Sequence, residues 1–106
     1  MALSVEVYRE LSGLNDFGFR DQMTRSGLSV PSNSAEGYER ESNKELIRFL
    51  YIAKGSCGEL HTQTIIGMKI GYLKQDMATK WQQETKEISA MLGGLIKKRK
   101  AFSGAR

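Results

Sequence analysis

The sequence predicts an all-α protein, specifically an antiparallel up-down four-helix bundle. Three observations lead there. The chain has one proline in 106 residues. Apolar residues recur at three- and four-residue spacing almost throughout, the period of one helix face, with no alternating strand pattern and no internal repeat. A helix start, Ser42-Asn43-Lys44-Glu45, opens a long amphipathic run. A serine hydroxyl accepts from the backbone N–H three residues on while a glutamate there reaches back, so two orphan donors are satisfied together.

Leu3, Val7, Leu11 and Leu14 mark a first helix over about 2–14, closed by Gly13 or the Asn15-Asp16 turn signal. A second, over about 18–38, carries Phe19, Met23 and Val30 inward. Between Ser26 and Gly37 its residues become small, with Pro31 among them. A proline removes one hydrogen bond and crowds the carbonyl four residues back, here that of Gly27, so the helix either kinks or ends. Composition alone favours a loop.

The third helix, over about 42–70, places Leu46, Phe49, Leu50, Ala53, Cys57, Leu60, Thr64, Gly67 and Met68 on one broad face, with Gly71 as the residue after its C-cap. Gly55 and Gly58 inside it each cost about 1 kcal/mol relative to alanine, which predicts a helix crossing too tight for a methyl group. Tyr72 and Leu73 form the turn to a fourth helix, over about 76–99, with Met77, Trp81, Ile88, Met91 or Leu92, and Leu95 facing the core; 101–106 reads as a frayed tail. Ile47, Tyr51, Ile52, Ile65, Ile66 and Ile70 lie partly outside the third helix's core stripe. A helix apolar over more than half its circumference is buried from two sides. Self-association is therefore expected, with Ile47, Tyr51, Ile66 and Ile70 as candidate interface residues.

Charge is unevenly placed. Residues 1–53 carry six Lys/Arg against eight Asp/Glu, and residues 54–106 ten against four, for a formal net charge of +4. The excess peaks at Lys97-Lys98-Arg99-Lys100. This run either meets phosphates or complements the last helix's macrodipole and keeps the protein soluble. The first residues lack a basic region followed by an apolar run, and no stretch approaches the ~20 apolar residues of a membrane span, so the expected location is cytoplasmic. The lone cysteine, Cys57, suits a reducing compartment.

Cys57 and His61 share a helix face, but two ligands without a second cluster make a poor zinc site, and a helix interior holds the thiol away from substrate. Lys54-Gly55-Ser56-Cys57-Gly58 lacks the six-residue spacing of a phosphate loop and follows no strand. No triad, metal cluster or cofactor loop is visible, so the expectation is a non-enzymatic protein without a cofactor. Aromatic platforms for stacking bases look sparse, which weighs against a dedicated single-strand binder.

The run Ser29-Val30-Pro31-Ser32-Asn33, Ala35-Glu36-Gly37, Arg40-Glu41-Ser42, Glu45, Phe49-Leu50, Ala53-Lys54-Gly55-Ser56, Glu59-Leu60, Thr62 and Gly71-Tyr72-Leu73, preceded by Gln22 and Arg25, resembles the bacterial 23S rRNA intervening-sequence proteins. The resemblance spans nearly all of residues 5 to 98. It departs at Ser34, where an aliphatic residue is usual, and at Cys57-Gly58, which replaces a more apolar pair. It implies a kinked helix through Pro31 and a ring-like homo-oligomer, most simply a pentamer with a formal charge of +20. A related accessory protein of diversity-generating retroelements binds a reverse transcriptase and nucleic acid, so the partners implied are RNA or DNA, or a protein such as a reverse transcriptase. At matching positions stand Arg25, Asn33, Glu36, Arg40, Glu45, Lys54 and Glu59, a polar set that either fixes the corner between the long helices through ion pairs or meets a ligand. The expected function is non-specific nucleic-acid association through Lys97, Lys98, Arg99 and Lys100, with Arg20, Arg25 and Arg40 as a second basic set; the alternative is a protein scaffold whose charge serves solubility.

Overall fold

In a computed structural model, which describes residues 2–104, four helices run up and down in sequence: α1 (Ala2–Leu11), α2 (Phe17–Tyr38), α3 (Asn43–Lys69) and α4 (Gln75–Gly104). They form a rod of 51 × 21 × 19 Å. Among the described residues no helix is long and apolar enough to cross a membrane.

α1 stops at Leu11, short of the expected residue 14, because the Ser12 and Leu14 amides turn back to the carbonyls of Arg9 and Leu11; Leu14 still packs on the core. Asp16 caps α2 by accepting from the Phe19 amide at 3.1 Å. α2 runs through Pro31 without a break. The Gly27 carbonyl that proline leaves without its usual partner takes the Ser4 hydroxyl of α1 at 2.6 Å, in the buried interior. Nearby hydroxyls and amides bond carbonyls one turn back: Ser26 to Gln22 (3.1 Å), Asn33 to Ser29 (2.9 Å) and Ser34 to Val30 (2.8 Å). The unexpected Ser34 hydroxyl is thereby satisfied.

Ser42 caps α3, accepting from the Glu45 amide at 3.1 Å. The C-terminal end closes as a Schellman motif: Gly71 adopts φ +84°, its amide bonds Met68 O, and the Tyr72 amide bonds Gly67 O at 2.8 Å. α4 outruns its expected end by several residues. Ala101–Gly104 remain helical, which corrects the frayed-tail expectation there; Ala105 and Arg106 lie outside the described residues. Lysine, arginine and alanine are strong helix formers, so the basic run propagates the helix.

The glycine expectation was misplaced. A Cβ at Gly55 or Gly58 would meet nothing within 4 Å, whereas one at Gly37 would lie 3.0 Å from Leu46 Cδ1 and Phe49 Cβ, and one at Gly67 3.0 Å from Leu73 Cδ1. The close approaches are at Gly37 and Gly67, on the α3-facing side of α2 and the core side of α3.

Two core clusters follow from the unequal helix lengths. Around α1 the section holds four helices, with Leu3, Val7, Leu11, Met23, Leu60 and Trp81 buried together. Beyond α1 it holds three, centred on Leu46, Leu50, Ala53, Leu92 and Ile96. Leu92 is the buried member of the Met91/Leu92 alternative; Met91 is 59% exposed. The indole of Trp81 donates to Glu6 Oε1 at 2.6 Å and ties α1 to α4, with Lys80 Nζ on the same carboxylate at 3.0 Å. Of the expected interface residues, Ile47 spends part of its surface on the second core, while Tyr51, Ile66 and Ile70 stay exposed, joined by Ile52.

Candidate functional site

The three-helix end of the rod gathers seven of the sixteen Lys/Arg residues. Gly37 lets the last turn of α2 lie against the first turns of α3, since any side chain there would strike Leu46 and Phe49. Behind it the chain turns tightly, the Arg40 amide bonding Gly37 O at 3.1 Å, before Ser42 starts α3. The last turns of α4 are drawn onto this corner by Asn43, whose Nδ2 donates to Arg99 O at 2.9 Å. Between them opens a cleft of about 320 Å³ bordered by Tyr38, Arg40, Ser42, Asn43, Arg99 and Phe102.

The cations here lie over aromatic rings. Arg40 and Arg48 sit 5.0 and 5.1 Å from the centroid of Phe49, Arg99 is 5.9 Å from Tyr38, and Lys100 is 4.9 Å from Tyr51 and donates to its hydroxyl. Such contacts contribute roughly 0.5–1 kcal/mol each at exposed sites and hold long side chains in place. Lys97 and Lys98 project into solvent. In residues 36–48 and 97–100, seven Lys/Arg stand against four Asp/Glu, so the end is basic but mixed. Glu36 pairs with Arg40 one turn apart.

The second basic set is split. Arg20 lies about 30 Å from Arg40 at 1.5 Å per helical residue, over Phe17 (4.8 Å) and paired with Asp21 (3.2 Å). Arg25 borders a different feature, a polar groove between α2 and α3 lined also by Gln22, Ser29, Ser56, Glu59 and Gln63. There Ser26 bonds Glu59 at 3.1 Å, and Ser29 bonds both Ser56 (2.7 Å) and Asn33 (2.8 Å). Of these arginines, only Arg40 joins the Lys97–Lys100 run.

The expected polar network is likewise separate pieces. Glu36 and Arg40 form the corner pair, Asn33 and Glu59 hold the α2–α3 groove, and the Glu45 amide completes the Ser42 cap. Lys54 stands on the other side of α3, at a groove shared with Cys57, His61, Thr85, Lys86 and Ser89. Thr85 draws that seam together: its carbonyl accepts from the Cys57 thiol at 3.2 Å, and its hydroxyl is hydrogen-bonded to His61 Nδ1 at 2.7 Å. Burial pushes the Cys57 thiol above its ordinary pKa, the opposite of what a nucleophile needs. Among the described residues no three His, Cys, Asp or Glu side chains come together as a metal site.

Sequence reasoning missed the aromatic half of the basic end. Phe49 beside Arg48 was readable, one position apart; Tyr38 with Arg99 and Tyr51 with Lys100 depend on how far α4 runs and in what register.

A family model described as 23S rRNA-intervening sequence protein matches residues 1–94. Among solved structures, a protein of unknown function from the S23 ribosomal protein family of Bacteroides thetaiotaomicron superposes with a TM-score of 0.85 at 23% identity, over 91% of this chain and 93% of that chain. At that identity the likeness is one of fold. A search of curated proteins gave no match.

Proposed function

The chain belongs to the 23S rRNA-intervening sequence protein family, and from that premise we propose that it is a non-enzymatic accessory protein that self-associates and holds RNA or DNA at the basic end of each rod without reading sequence. The observation that carries this is the meeting of Arg40 and Arg99 at one cleft between the α2–α3 corner and the end of α4, with Arg48 beside Arg40 over Phe49 and the Lys97, Lys98 and Lys100 side chains on the adjoining turns of α4. A patch of this size binds weakly alone. In a ring of subunits, a pentamer on the family resemblance, the same patch is repeated and its contacts become intramolecular after the first.

Electrophoretic shifts of generic RNA and DNA at two salt concentrations test the proposal. Binding should be micromolar or weaker per site and fall steeply with salt, because each neutralised phosphate releases condensed counterion. Replacing Lys97, Lys98, Arg99 and Lys100 together by glutamine should abolish it while assembly persists. Unchanged binding in that variant would overturn the placement of the site on the end of α4.

A second reading is favoured by a separate observation. The outward face of α3 exposes Tyr51, Ile52, Ile66 and Ile70 around the bare Gly55 and Gly58 positions. In that reading the protein is a scaffold whose apolar face meets another protein, a reverse transcriptase being one candidate partner. No binding of the parent protein to either nucleic acid at low salt would favour it.

A further inference from the structure

The cation–ring contacts of the described residues are not spread over the surface: apart from Arg20 with Phe17 at the far end, they all stand at the basic end. From this placement we infer that the cleft between the α2–α3 corner and the end of α4 takes single-stranded nucleic acid, one base entering against Tyr38, Phe102 and the guanidinium groups of Arg40 and Arg99, with the flanking phosphates on Lys97 and Lys98. The inference rests on the nucleic-acid reading above and specifies the form of the strand.

A duplex hides the faces of its bases and presents edges and phosphates, so a protein surface for duplex needs cations that point freely outward. Here Arg40, Arg48 and Arg99 are drawn down over Phe49 and Tyr38, and Glu36, Glu39, Glu41 and Glu45 interrupt the field. That arrangement is poor for tracking two phosphate backbones. It suits an unpaired base, because aromatic rings and guanidinium planes both stack on base faces and do so with every base. Tyr38 and Phe102 keep 52% and 56% of their surface exposed. The cleft, about 320 Å³, sits at the small end of ligand pockets, the scale of one nucleotide. Tyr51 and Lys100 lie on the α3–α4 side, outside the cleft, and form no part of it.

The test uses the full chain and fluorescein-labelled strands of one sequence as single-stranded RNA, single-stranded DNA and a blunt duplex, read by anisotropy at two low salt concentrations. A parallel single strand carries 2-aminopurine, whose emission changes on stacking. Single strands of either sugar should bind about tenfold tighter than the duplex, with a change in 2-aminopurine emission. Tyr38→Leu with Phe102→Leu should weaken single-strand binding roughly tenfold, within the range for loss of one stacked base, and leave the salt slope unchanged; Lys97→Gln with Lys98→Gln should flatten that slope. Equal binding of duplex and single strand with unchanged 2-aminopurine emission would overturn the single-strand inference and leave the nucleic-acid reading standing. Absence of binding to all three by the parent protein would remove both. The 2-aminopurine measurement needs no variant, so a folding defect in the leucine pair does not shield the inference.

Discussion

Ser4 supplies what Pro31 takes away. A buried carbonyl without a partner costs about 1–3 kcal/mol, so Ser4→Ala should lower stability by that amount in urea unfolding. Pro31→Ala restores an amide aimed at Gly27 O, which predicts coupling: in the Pro31→Ala background Ser4→Ala should cost at least ~1 kcal/mol less. Independent, additive effects would show that the Ser4 hydroxyl and the missing amide do not serve the same oxygen. The freed carbonyl was legible in the sequence, because a proline always orphans the residue four before it. Its donor was not, since Ser4 lies 23 residues away and arrives only when α1 packs across α2.

At the scale of a helix, the glycines separate into two kinds. Gly37→Ala would place a methyl 3.0 Å from Phe49 Cβ, an atom anchored to its own backbone, and should cost about 1–3 kcal/mol as overpacking. Gly55→Ala meets nothing within the chain and should instead stabilise α3 by up to about 1 kcal/mol through helix propensity. Thermal unfolding of the two variants checks both signs; a destabilised Gly55→Ala that also loses higher-mass species would place Gly55 in a contact between copies. The buried residues of α3, namely Leu46, Leu50, Ala53, Cys57, Leu60, Thr64 and Gly67, follow a strict alternation of four- and three-residue steps. Gly55 and Gly58 fall outside it, so their outward direction was readable from the heptad. The extra turn of α4 was readable too, from the propensity of Lys-Lys-Arg-Lys-Ala. Passage of α2 through Pro31 was not readable from composition, which describes local preference and says nothing of a hydroxyl brought from another helix.

For the whole molecule, the fold class, the order of helices and the main core residues were written in the hydrophobic spacing, while the basic end was legible only in part. The charges were visible; the rings beneath them depend on antiparallel register, which spacing within one helix does not encode. The α3 face makes the molecule's association testable. Ile66 and Ile70 are 45% and 53% exposed in the isolated chain. If copies assemble through this face, Ile66→Asp or Ile70→Asp places an unpaired charge in an apolar contact and should dissociate the assembly with the helical content unchanged. Light scattering should give several times the 11.9 kDa chain mass for the parent and the chain mass for the variants. A parent protein that is monomeric at micromolar concentration would count against self-association through any face.

Trp81, the sole tryptophan, turns the short first helix into something an optical instrument can follow. Its ring is fully buried and its N–H rests on a carboxylate of α1, so undocking of α1 alone would wet the indole and shift its emission to the red, while α2, α3 and α4 kept their far-ultraviolet signal. The hydrogen bonds from Trp81 and Lys80 hold the Glu6 carboxyl below its ordinary value of 4.5. A carboxylate with a lowered folded pKa contributes stability that is whole above the unfolded value and is lost as pH falls through the folded one. Acid titration should therefore redden the emission below pH 4.5, ahead of any loss of helix, and Glu6→Gln should remove that early step. Coincident optical and helical transitions would mean instead that α1 melts only with the rest of the rod.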